Sequence, residues 1–223
     1  VTGFGDFAYD LAHLLGGAML LVSFAMLGQR RLEAVIGALA LQGALLGLAA
    51  FWQGYVQGAG QLYLTGAIAL AAKAVAIPLV LRRMAGALPP AQRADSFASL
   101  EPVMLGAVAL VALAFLAAVP ATKGASVLAR VDIAVALAIL LLGALMMATR
   151  RSALAQVAGL MTIENGLILA AVGVAGMPLV VELSTAGLVL VVAVIAGVFA
   201  RQLGERFGAQ DTTLLDRHRG ERR

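Results

Sequence analysis

Polar residues in this chain are gathered into short clusters. Between them run seven mostly apolar stretches, 8–27, 34–53, 61–81, 102–120, 129–149, 153–173 and 177–200. About 20 apolar residues is the length at which an α-helix, rising ~1.5 Å per residue, crosses ~30 Å of hydrocarbon. Period-two alternation of apolar and polar positions is missing, which excludes a transmembrane β-barrel. The helix is then the structure that satisfies every backbone group inside lipid. The pattern predicts an all-α, polytopic membrane protein with seven transmembrane helices. The first span follows acidic Asp6 and Asp10 in place of a basic segment and lacks a convincing cleavage site, so it does not read as a signal peptide.

Composition agrees. The chain is 62% hydrophobic and 13% charged, with a mean hydropathy of +0.98; a soluble domain carries roughly 25% charged residues. With no cysteine there is no disulfide framework, thiolate metal site or iron–sulfur cluster. The two histidines do not form the facing pair a membrane haem needs, and no Gly-rich nucleotide loop or zinc-type cluster is present, so no cofactor is expected. A net charge of +4 would suit nucleic acid, but the arginines flank apolar spans instead of interleaving with aromatics, and the expected partner is the bilayer.

If the spans alternate, one side receives Arg30, Arg31, Arg82, Arg83, Arg93, Arg150, Arg151, Arg201, Arg206, Arg217, Arg219, Arg222 and Arg223, the other only Lys123 and Arg130. Positive charge collects on the cytoplasmic side, so the N-terminus is expected outside and the C-terminus in the cytoplasm, in a cell (cytoplasmic or inner) membrane. The organisation reads as helices one to three (1–83), a cytoplasmic loop and helix four (84–124), helices five to seven (125–200) and a polar cytoplasmic tail (201–223). Helices two and six look related: Gly37, Leu39, Leu41, Gln42, Leu45 and Ala49 match Gly159, Met161, Ile163, Glu164, Leu167 and Ala171 at a shift of 122 positions, each helix following a diarginine. That points to a 3+1+3 parallel repeat in which Gln42 is the neutral counterpart of Glu164.

The chemistry lies in ionisable residues within the spans, which are costly in hydrocarbon and normally face protein or water. Glu164 falls 13 residues past Arg151 and Lys73 nine before Arg82, both deep in the membrane, while Glu182, Asp132, Arg130 and His13 fall near outer helix ends. Each has a plain alternative. Lys73 can snorkel to the interface, Glu164 can serve as an interhelical hydrogen-bond partner, and Asp132 can pair with Arg130 or cap its helix. An acid and a base buried together can instead pass protons, the charge of one biasing the other. The candidate relay residues are Glu164, Lys73, Glu182 and Gln42. A stand-alone receptor or light-driven pump is disfavoured, since a Schiff-base lysine would be expected in the last helix, which has none.

The strings TIENGLILAAVG (162–173), MPLVVEL (177–183) and AIALAAKAVAIPLVL (67–81) resemble the membrane component E of hydrogenase-4 and related formate hydrogenlyase-type complexes. The last three spans are further similar to the K subunit of respiratory complex I and to the small subunit of multisubunit cation/proton antiporters. The resemblance covers most of the chain and is sharpest at Glu164–Asn165–Gly166. It implies a non-catalytic subunit of a complex I-like membrane arm, packed among antiporter-like subunits and contributing to a lateral chain of charges coupled to electron transfer. Glu164 matches the acid of the Glu-Asn-Gly motif, Lys73 the mid-helix lysine, and Glu182 the acid after Pro-Leu. Leu188 stands where a second acid is expected, a departure that favours the alternative of a purely structural scaffold.

Overall fold

In the computed structural model the described residues are 3–89, 99–121, 127–174 and Gly197. They form helices α1 (Gly3–Gly28), α2 (Leu32–Gln57), α3 (Gly60–Gly86), α4 (Leu100–Ala121), α5 (Val127–Thr149) and α6 (Ala153–Val174), with no strand among them. All six are long and apolar enough to cross a membrane, and they coincide with the first six expected spans. The seventh, 177–200, with Glu182 and Leu188, lies outside the described residues apart from Gly197, as does the tail 201–223. The chain is thus a multi-span helical membrane protein. Its surface says the same: Leu105 and Leu116 on α4 and Leu21 on α1 are more than 70% exposed, an orientation that suits lipid and would be costly in water.

Two short links are built by backbone chemistry. At the end of α2, Gly58 adopts the left-handed conformation (φ 62°), and Ala59 N–H bonds back to Gly54 O, closing the helix before α3 begins at Gly60. Between α5 and α6 the buried Arg150 turns inward. Its Nη2 donates to Met26 O at 2.7 Å and Leu27 O at 2.8 Å, the last carbonyls of α1. Helix C-terminal carbonyls have no intrahelical donor, so this arginine is a cap delivered from the other half of the chain.

Helix α3 departs from the uniform helix the pattern predicted. Its middle, Ala69–Ala76, is a π-helix, and Ile77 N–H bonds to Ala72 O, five residues back. The following residue is Pro78, which has no N–H and whose ring would collide with the carbonyl four residues earlier in an α-helix. A wider turn relieves that collision, and it carries Lys73. The helix also runs on to Gly86, taking in the first residues of the cytoplasmic loop expected from residue 84.

The core divides into two apolar clusters. One, at the arginine-rich end, holds Met26, Leu27, Leu39, Ile77, Leu142 and Met161; the other, at the opposite end, holds Met19, Leu46, Leu62, Ile139, Ile168 and Val172. On four helices the boundary between them is a buried polar residue: Ser23 on α1, Gln42 on α2, Lys73 on α3, and Glu164 with Asn165 on α6. The polar groups therefore form one thin layer across the bundle, with hydrocarbon on both sides.

Candidate functional site

Buried polar side chains in lipid must find partners among themselves, and here they do so across four helices. Lys73 Nζ lies 3.0 Å from Glu164 Oε2, each side chain 6% exposed. The same Nζ donates to Asn165 Oδ1 at 3.0 Å; Asn165 Nδ2 donates to Gln42 Oε1 at 3.0 Å; Gln42 Nε2 donates to Ser23 Oγ at 2.7 Å; and Ser23 Oγ donates to Met19 O at 2.9 Å. Each link hands a donor to the next acceptor, so the dipoles align from the ammonium to a backbone carbonyl on α1, the arrangement in which neighbouring hydrogen bonds strengthen one another.

The local sequence explains why the helices come close enough. A Cβ at Gly43, next to Gln42, would sit 2.7 Å from the Lys73 carbonyl carbon and 2.8 Å from its oxygen, so only glycine lets α2 lie against the π-helical turn. On the other side, a Cβ at Gly166 would meet Ala136 O at 2.9 Å. The Glu-Asn-Gly segment thus divides its labour. Glu164 pairs with Lys73, Asn165 joins Lys73 to Gln42, and Gly166 admits the α5 backbone.

The Lys73–Glu164 approach is that of an ion pair without the alignment of a hydrogen bond, and Glu164 Oε1 has no hydrogen-bond partner among the described residues. Such an oxygen can receive a proton. Asn165 and Gln42 are amides with no ionisable proton near neutrality; their part in the chain is to hold and orient, while Lys73 and Glu164 are its two titratable members.

Of the expected relay residues, Glu164, Lys73 and Gln42 come together and Glu182 lies outside the described residues. Lys73 does not snorkel; its ammonium is engaged inside the bundle. Asp132 does not cap its helix, being the sixth residue of α5; its Oδ1 lies 2.8 Å from His13 Nδ1 on α1. Ser23 was not singled out from the sequence. A serine in a leucine-rich span is common because its hydroxyl can bond the carbonyl one turn back, as here, and nothing in the sequence marked this one.

No family model matches the chain, and no solved structure matches it. The sequence is 30% identical to the "Uncharacterized protein Rv0085" of Mycobacterium tuberculosis over 207 residues, 92% of this chain and 94% of that protein. An alignment of that length takes in Ser23, Gln42, Lys73 and the Glu-Asn-Gly segment within a chain of the same extent, and on it this protein belongs to the same family as Rv0085.

Proposed function

We propose that the chain is a non-catalytic subunit of a complex I-like, hydrogenase-type membrane arm, contributing its buried charges to a lateral proton or cation relay coupled to electron transfer. The observation that carries this reading is the direction of the polar chain. It runs sideways through α6, α3, α2 and α1, between two apolar layers, and its two titratable members, Glu164 on α6 and Lys73 on α3, face each other within it, so a charge passed between them moves in the plane of the membrane. A transporter acting alone would need polar groups stacked along the normal. In this proposal the chain has seven spans in a 3+1+3 arrangement, with its N-terminus outside and its C-terminus in the cytoplasm of a cell membrane, and packs against antiporter-like subunits. Lys73 and Glu164 change charge together: a proton arriving at Glu164 Oε1 releases the ammonium to Asn165, and its departure draws the ammonium back.

The test is Glu164→Gln in the complex isolated from its own membrane. Electron transfer from the donor to an artificial acceptor is expected to continue while ion movement in sealed vesicles is lost; full coupling in the variant removes Glu164 from the path. A second reading, a scaffold without transport, is favoured by the two amides, which fasten helices and carry no proton. It predicts that Glu164→Gln and Lys73→Met lower only the amount of assembled complex.

A further inference from the structure

At the end of the bundle opposite the arginines, α1, α2, α5 and α6 leave a cavity of about 20 Å³ lined by Ala12, Gly16, Gln53, Asp132, Val135 and Leu169. That is room for about one ordered water, given a polar wall. The wall is polar. Asp132 Oδ1 lies 2.8 Å from His13 Nδ1, with the two side chains 26% and 24% exposed, and Gln53 Oε1 accepts from Gln57 Nε2 at 3.0 Å. An acid–imidazole pair partly open to solvent is a group that can exchange protons with it.

Below the cavity the floor is dry. Met19, Leu46 and Ile139 are fully buried and Ile168 nearly so. Leu169, in the cavity wall, is five residues from Glu164, about 7.5 Å along α6. Gly16 and Ser23 are seven apart on α1, as are Ala49 and Gln42 on α2, about 10 Å each. A single apolar layer therefore separates the cavity from the polar chain.

We propose that the Asp132 cavity, with His13 paired to its wall, is a proton-loading vestibule for the buried layer. Hydronium in the vestibule gives its proton to the His13–Asp132 pair and leaves as water. The pair passes the proton to Glu164 Oε1 only when water enters between Met19, Leu46, Ile139 and Ile168. The destination rests on Glu164 being a relay; the vestibule and its apolar floor do not.

The test uses the full chain in phosphatidylethanolamine–phosphatidylglycerol vesicles, with proton flux followed by an entrapped pH dye under a potassium diffusion potential. Wild type is expected to be as tight as empty vesicles. Leu46→Ser with Leu39→Ser, or Ile139→Ser with Leu142→Ser should the first pair not fold, wets the apolar layers on both sides of the polar chain and opens a leak. Adding Asp132→Asn abolishes that leak, and so does Gly16→Val, since a Cβ at Gly16 meets Val135 at 3.5 Å and a larger side chain fills the cavity. A leak indifferent to Asp132→Asn, or no leak in either folded serine variant, overturns the proposal. A leak lost with Asp132→Asn but kept with Glu164→Gln leaves the vestibule standing and refutes the relay reading.

Discussion

Lys73 and Glu164, 91 positions apart in sequence, meet at 3.0 Å in the middle of the bundle, one from a π-helical turn and the other from the Glu-Asn-Gly segment. Removing one partner of a buried pair leaves an uncompensated charge, which costs about 3–5 kcal/mol, whereas replacing both with apolar residues is often close to neutral. Lys73→Met alone is therefore expected to lower the thermal stability of the purified chain sharply. The double variant Lys73→Met/Glu164→Leu should recover most of the loss, a coupling that a double-mutant cycle in detergent measures.

Asn165 serves two helices at once, accepting from Lys73 and donating to Gln42. Asn165→Leu is expected to cost about 1–3 kcal/mol, because two buried polar groups lose a partner. Asn165→Ala with Gln42→Ala should be less than additive, since the second substitution removes a bond already lost. Chemical denaturation in mixed micelles gives the comparison.

Gly43 is a contact and not a hinge. Gly43→Ala places a methyl against the Lys73 carbonyl at 2.7–2.8 Å, so α3 has to shift, and overpacking of this kind costs about 1–3 kcal/mol. Gly106→Ala on α4, where nothing lies within 4 Å, is the control and should be neutral or stabilising by up to ~1 kcal/mol through helix propensity. The melting temperature should fall for Gly43→Ala and stay level or rise for Gly106→Ala.

Arg150 and Arg151 are adjacent and equally charged, yet only the first is buried and caps α1. Arg150→Ala is expected to destabilise by about 1–3 kcal/mol, the cost of removing a charged donor from the Met26 and Leu27 carbonyls. Arg151→Ala should stay within ~0.5 kcal/mol. Limited proteolysis near the α1–α2 link should show the same split, with the Arg150 variant cut faster.

The membrane class and the six described helices were legible in the sequence, though not the ends of α2 and α3, which run on to Gln57 and Gly86, because hydropathy and length respond to one strong constraint: backbone polar groups in lipid must be satisfied within the segment. Lys73 and Glu164 were legible for a related reason, since a charge in an apolar run is too costly to be incidental. The π-helical turn was only half visible, through Pro78.

What the linear chain left open was pairing. Asp132 could go to a neighbour, a helix end or solvent, and it goes to His13, 119 positions away. Ser23 acquires meaning only because Gln42 arrives beside it. Composition and spacing determined that this is a helical membrane protein with a buried acid and a buried base. Tertiary structure alone decided that these lie at one height, in a single polar layer between two apolar ones. The reason is that each helix sets its own residues' depth, but glycine contacts at Gly43 and Gly166 fix the register and rotation of one helix against the next, and those contacts belong to no single segment.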